Sequence, residues 1–131
     1  MAETINKTKI LVVEDEFNIS DVCKNSLIKE GYDVTVSADG LSAKRLISAT
    51  EYDLIVLDLN IPKISGIELY HWLEGEHPEL TRRVLFMTGL IPVGGVAAFL
   101  AHTGRLCLQK PFTPKELRDK VKQVLEPLGK L

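Results

Sequence analysis

Leu54-Ile55-Val56-Leu57-Asp58-Leu59-Asn60-Ile61-Pro62 is the stretch from which the rest of the chain is read. Residues 54–57 are all apolar, too few for a helix and rich in branched side chains. Such a run predicts a strand buried on both faces, of the kind found at the centre of a parallel sheet. Asp58 ends it. Open α/β sheets place their ligands in the crevice outside the C-terminal strand ends, so position alone makes Asp58 a site candidate. The alternative is that Asp58 starts a solvated turn ahead of Pro62.

The pattern recurs on both sides. Lys9–Val13 is a second buried run and stops at Glu14-Asp15-Glu16, while Arg83–Met87 is another and stops at Thr88-Gly89. Asp33–Ser37 and Leu106–Leu108 are shorter strands, the latter followed by Gln109-Lys110-Pro111-Phe112. Helical spacing separates them. Phe17–Glu30 carries Phe17, Val22, Cys23, Leu27 and Ile28 close to one stripe, with Gly31 as its stop. After an Asp39-Gly40 turn, Leu41–Ala49 turns Ala43, Leu46 and Ile47 inward. Ser65 is an N-cap with Glu68 as its capping-box partner, and Ile67, Leu69, Tyr70, Trp72 and Leu73 cover the sheet until Pro78. Between Leu90 and Thr103 only Val96–His102 reads as helix, because Ile91-Pro92-Val93-Gly94-Gly95 resists one. Thr113 caps an amphipathic helix with Leu117, Val121, Val124, Leu125 and Leu128 on one side. Five strands alternating with helices predict an open parallel five-stranded sheet, helices on both faces and right-handed crossovers.

At 131 residues, 45% hydrophobic and 26% charged, the chain has the size and composition of one soluble globular domain. A net charge of -2 gives no electrostatic reason to expect nucleic acid or an anionic membrane as partner. Cys23 and Cys107 lie in apolar contexts without CxxC spacing, which predicts reduced core thiols of a cytosolic protein and argues against zinc. Met1–Thr8 is polar with no apolar signal core, and Leu90–Ala101 is interrupted by Pro92, Gly94 and Gly95, so no membrane span is expected. His71, His77 and His102 lack metal-ligand spacing.

In this architecture Glu14, Asp15, Asp58, Thr88 and Lys110 all emerge at one sheet edge. Two carboxylates about 4 Å apart repel by roughly 4 kcal/mol at an effective dielectric of about 20, so three converging acids call for a cation or a shared proton. An all-oxygen set suits a hard divalent ion, Mg²⁺ or Mn²⁺. Lys110 and the Thr88 hydroxyl would face the same oxygens from the other side. That arrangement can neutralise a transferring phosphoryl group and leaves Asp58 as the carboxylate nucleophile.

These residues carry a family likeness. Val12-Val13-Glu14-Asp15, Val56-Leu57-Asp58-Leu59-Asn60-Ile61-Pro62 with Gly66, Met87-Thr88-Gly89 and Lys110-Pro111-Phe112, in this order and spacing, resemble a response regulator receiver domain of two-component signalling. The resemblance runs from Lys9 to Leu125. It implies a flavodoxin-like, CheY-like receiver fold over 9–128, flanked by a polar tail at 1–8 and a short one at 129–131. It implies that Asp58 is the phosphoacceptor, supplied by a phosphohistidine on a sensor histidine kinase or histidine phosphotransfer protein. Asp15 would hold Mg²⁺ directly, Glu14 through water, and the Asn60 backbone carbonyl would complete the protein ligands. Thr88 and Lys110 would hold the phosphoryl oxygens, and the peptide before Pro111 would be cis. The expected role is a cytoplasmic switch that binds a downstream protein and can pair as a homodimer, not an enzyme with a separate substrate.

Two departures stand out. Receivers commonly carry Tyr or Phe three residues before the lysine, where this chain has Cys107, which puts the usual ring movement in doubt. The glycine-rich start of the fourth helix is the other, and a change of order there on phosphorylation is expected. Leu90 and Ile91 either pack or form an exposed partner patch. A Mg²⁺-dependent phosphohydrolase is the alternative enzyme reading, but such enzymes want a second Asp where Asn60 stands. A flavodoxin-like mononucleotide binder is set aside because Glu14-Asp15-Glu16 would repel a phosphate after the first strand.

Overall fold

The computed structural model of the protein describes residues 7–129. Of the tails expected at 1–8 and 129–131, residues 1–6 and 130–131 lie outside the described residues. Five parallel strands, β1 (Lys9–Val13), β2 (Asp33–Ser37), β3 (Leu54–Asp58), β4 (Val84–Thr88) and β5 (Cys107–Gln109), form one sheet in the order β2-β1-β3-β4-β5. The helices between and after them are α1 (Phe17–Lys29), α2 (Gly40–Ala49), α3 (Gly66–Glu76), α4 (Gly94–Thr103) and α5 (Pro114–Leu125). Every residue of β3 and β4 is buried. Both faces of these inner strands are therefore covered, which is why they read as unbroken apolar runs.

Strand alternation divides the core in two. Leu11, Val13, Ile55, Leu57, Val84 and Phe86 point to the layer of α2, α3 and α4, while Ile10, Val12, Leu54, Val56, Leu85 and Met87 point to that of α1 and α5. Two close backbone approaches brace the loop after β3. A Cβ on Gly66 would lie 2.5 Å from the Asp58 carbonyl oxygen, and one on Gly40 would lie 2.7 Å from that of Ile64. The Gly66 N–H donates to Leu59 O at 3.0 Å, and Lys63, at φ 75°, closes a γ-turn in which Ile64 N–H donates to Pro62 O at 2.9 Å.

Several expectations need correction. Phe17, Val22 and Ile28 of α1 are exposed, and the helix instead buries Ser20, Cys23, Ser26 and Leu27. Small serines let α1 lie close to the sheet, and the Ser20 hydroxyl finds a partner within the helix by donating to Phe17 O at 3.2 Å. Asp39 is the α2 N-cap, accepting from Ser42 N–H at 2.8 Å, and Gly40 begins the helix where a free turn was expected. The Ser65 hydroxyl accepts from Glu68 N–H at 3.2 Å, but the Glu68 carboxylate receives the Ser65 hydroxyl at 3.4 Å and the box is not closed. Thr113 and Glu116 do close one at α5. β4 and β5 each sit one residue later than expected, and Leu128 lies in a 3-10 turn beyond α5. α4 begins at Gly94, ahead of the expected Val96, with a first hydrogen bond, Ala97 N–H to Val93 O, of 3.4 Å. No described helix is long and apolar enough to cross a membrane.

Candidate functional site

Register brings the strand ends together. Val13 pairs with Leu57, Asp58 with Met87 and Thr88 with Gln109, so Glu14, Asp58, Thr88 and Lys110 emerge on adjacent strands at one edge. Lys110 N–H donates to Thr88 O at 2.8 Å, which extends the β4–β5 ladder to the lysine itself. The Lys110–Pro111 peptide is cis, as the resemblance implies.

The cleft is acidic, and two of its three carboxylates are buried. Glu14 is 1% exposed and Asp58 2%, whereas Asp15 is open to solvent. Carboxylate oxygens of all three lie within 4.8 Å of one another. The Lys110 ammonium sits 2.5 Å from Glu14 Oε1, 2.9 Å from Asp58 Oδ2 and 3.9 Å from Glu16 Oε1. Asp58 Oδ1 accepts from the Asn60 N–H at 3.1 Å, and Glu14 Oε2 accepts from the Glu16 N–H at 3.1 Å.

Burial pushes the Glu14 carboxyl up to about 7, against the opposing pull of its Lys110 and Glu16 hydrogen bonds, and the nearby Asp58 charge adds to the rise. Burial would lower the Lys110 ammonium, yet its bonds to Glu14 and Asp58 together outweigh that and hold it above the usual lysine range. Three carboxylates therefore face one ammonium. Glu14 Oε1 is buried without a well-aligned hydrogen bond, although the ammonium is its neighbour. An acidic oxygen set with an underused buried oxygen fits a hard divalent cation.

Thr88 is 3% exposed, and its hydroxyl bonds to the loop that follows β4. Its hydroxyl donates to Leu90 O at 3.2 Å and accepts from Leu90 N–H at 3.3 Å, so the loop holds it. Asn60 meets Asp58 through its amide. Leu90, Ile91 and Val93 are 69%, 74% and 73% exposed, which makes this stretch an open apolar patch. Beside Lys110 and Gly89 opens a second feature that sequence reasoning missed, a cavity of about 560 Å³ walled by Ile19, Val22, Pro111 and Phe112. No periodicity announces it, because its walls come from segments some ninety residues apart in the chain. Glu16, at the start of α1, also lies within ion-pair distance of Lys110.

His71 pairs with Glu74 at 2.7 Å, and the His77 ring lies 5.1 Å from that of Trp72. Neither joins the cleft. Cys23 and Cys107 are both free, and burial pushes the Cys23 thiol up to about 12 and raises that of Cys107, which makes both poor nucleophiles.

Comparison with known proteins agrees with this geometry. The family model described as the response regulator receiver domain matches residues 10–122. The alkaline phosphatase synthesis transcriptional regulatory protein PhoP of Bacillus subtilis is 34% identical over 117 residues, covering 89% of this chain and 48% of PhoP. A probable transcriptional regulator, ycf27, of Cyanophora paradoxa is 33% identical, over 92% of this chain and 49% of its own. The chain spans about half the length of these curated relatives. Among solved structures, a CheY-like receiver domain protein of Methanospirillum hungatei superposes with a TM-score of 0.85 at 26% identity, covering 95% of this chain and 98% of the other. The receiver domain of a signal transduction histidine kinase from Syntrophus aciditrophicus gives 0.82 at 28% identity, covering 95% and 94%.

Proposed function

The chain belongs to the response regulator receiver family of two-component signalling, and from that premise we propose that Asp58 is its phosphoacceptor. The observation that carries the reading is the Asp58 carboxylate itself. It is buried at the end of the central strand, held at Oδ1 by the Asn60 N–H and at Oδ2 by the Lys110 ammonium, beside two further acids. A carboxylate fixed at both oxygens is oriented before any substrate arrives.

The donor is a phosphohistidine on a sensor histidine kinase or histidine phosphotransfer protein. An Asp58 oxygen attacks phosphorus, and the phosphorus–nitrogen bond breaks with its electron pair returning to the imidazole. Lys110 follows the charge from the carboxylate onto the phosphoryl oxygens, and Thr88 supplies a hydroxyl once it leaves Leu90. Glu14, Asp15, Asp58 and the Asn60 carbonyl would hold Mg²⁺ or Mn²⁺, which supplies neutralisation of phosphoryl charge when bound. Asn60 stands where a phosphohydrolase with an Asp nucleophile carries its second Asp, and no separate substrate is expected. The product switches binding to a downstream protein target, a second copy of the chain included, within the cytoplasm.

The test is intact mass after incubation with Mg²⁺ and a small-molecule acyl phosphate. Wild type is expected to gain one Mg²⁺-dependent, base-labile phosphoryl group that Asp58→Asn lacks. The same adduct on folded Asp58→Asn, or none on folded wild type, would overturn the assignment.

A further inference from the structure

A second cavity opens at the far end of the sheet from Asp58, where the strands begin. Pro78 cannot continue α3, so His77 caps that helix and the chain turns into a short 3-10 helix, Pro78–Arg83. α2 stops nearby at Ala49, where Thr50 N–H donates to Leu46 O at 2.9 Å. Between these two helix ends lies a cavity of about 360 Å³ whose walls include Ile47, Glu51, His77, Glu79, Leu80 and Arg83.

Its charges are held apart. Arg83 is half-buried, and the one hydrogen bond of its guanidinium among the described residues runs from Nη1 to the Tyr52 carbonyl at 3.2 Å. The rest of the donor fork is unused. Neither Arg83 nor the exposed Glu51 has an ion-pair partner within 4.0 Å among the described residues, although both line one cavity and carry opposite charge. Glu79 already lies 3.9 Å from His77. α2 carries no basic residue in its last turn, so its own side chains do not neutralise the negative end of its dipole. Ile47 and Leu80 supply a buried apolar wall.

We propose that this cavity binds a small zwitterion with an aliphatic body, of the class of a branched-chain amino acid. Its carboxylate meets the Arg83 fork, its ammonium lies between Glu51 and the C-terminal end of α2, and its hydrocarbon covers Ile47 and Leu80. A simple anion would satisfy Arg83 but be repelled by two carboxylates, and a simple cation would leave Arg83 unpaired. One molecule bearing both charges serves both unpaired groups. Arg83 precedes β4 and Thr88 ends it, a span of about 16 Å at roughly 3.3 Å per residue, so occupancy does not require phosphorylation of Asp58.

The experiment titrates L-leucine into the ¹⁵N-labelled full chain and follows backbone amides by NMR. Separate arms use 4-methylpentanoate, which lacks the ammonium, 3-methylbutylamine, which lacks the carboxylate, and inorganic phosphate. Leucine is expected to give saturable shifts centred on residues 47–51 and 77–83 with a Kd of about 1 mM, and each other compound to bind at least about 10-fold more weakly. Glu51→Gln is expected to weaken leucine about 10-fold, and Arg83→Met to weaken it at least as much. Arg83→Met also loses the bond to Tyr52, so the exposed Glu51→Gln decides the matter if that variant folds poorly. Absence of saturable shifts on folded wild type at about 50 mM leucine, or shifts centred elsewhere, overturns the assignment. Equal or tighter binding of 4-methylpentanoate or phosphate would make the cavity a plain anion site, equal or tighter binding of the amine a plain cation site, and either result overturns it too. Unchanged leucine affinity in folded Glu51→Gln does the same.

Discussion

Replacing Lys110 with Met keeps much of the side chain's length and removes the only ammonium among the described residues that lies within 4 Å of Glu14 or Asp58. Both carboxylates are almost wholly buried, so water cannot take over the lysine's work. At a separation of no more than 4.8 Å each pair of ionised acids repels by at least about 3.5 kcal/mol at an effective dielectric of about 20. Removing one partner of a buried ion pair costs about 3–5 kcal/mol, and protonation of Glu14 relieves some of that, which leaves about 3 kcal/mol. With a urea slope of about 1.5 kcal/mol per molar, the midpoint falls by about 2 M in EDTA. Excess Mg²⁺ should recover more stability in the variant than it adds to wild type, because the metal then meets three acids with no competing ammonium. Parallel urea titrations with EDTA and with Mg²⁺ make the comparison. An unchanged midpoint in EDTA would mean that the cleft is wetter than its geometry shows. A loss that Mg²⁺ does not reduce would assign the effect to packing of the lysine stem.

Glu14 should impose a pH dependence on stability in EDTA. Its folded pKa of about 7 lies above the ordinary 4.5, so its contribution is full below pH 4.5 and falls by about 3 kcal/mol as pH rises to about 7. Glu14→Gln should lack that slope, and equal slopes in both proteins would refute the assignment. Gly66→Ala forces a Cβ to 2.5 Å from one backbone atom and 2.7 Å from another, neither able to rotate away, and is expected to cost about 3 kcal/mol in thermal or urea unfolding. Gly75→Ala, near the end of α3 with nothing within 4 Å, should stabilise by about 0.5 kcal/mol, and a Gly66→Ala protein as stable as wild type would refute the close approach.

The sheet was legible because burial on both faces writes a strand as an unbroken apolar run, and β1 and β3 fall where those runs do. Strand ends then place Glu14, Asp15, Asp58 and Lys110 in one cleft with no further information. Helix faces were harder to read. On α1 the apolar count favours Phe17, Val22 and Ile28, but the sheet accepts the side with Ser20 and Ser26, since fit and not hydrophobicity decides which stripe goes down. Glycines discouraged a helix at 94–95 although the first turn of a helix has unbonded N–H groups in any case. Nothing in a sequence shows which way a hydroxyl turns. Thr88 sits at the expected strand end, yet its bonds to Leu90 depend on the path of a loop that local propensity does not determine.

The braced turn between β3 and α3 restricts how the protein can diversify. Glycines at 40 and 66 admit no side chain, and the backbone between them is tied by a γ-turn at Lys63. Substitution there would disturb the mouth of the cleft or the fold itself. Across the opening, Leu90, Ile91 and Val93 pack against little and Gly89 has only the Lys110 stem at 4.0 Å. One bank of the cleft is closed to change and the other is open. Variation at the mouth of the cleft therefore has its freest route through the β4–α4 loop.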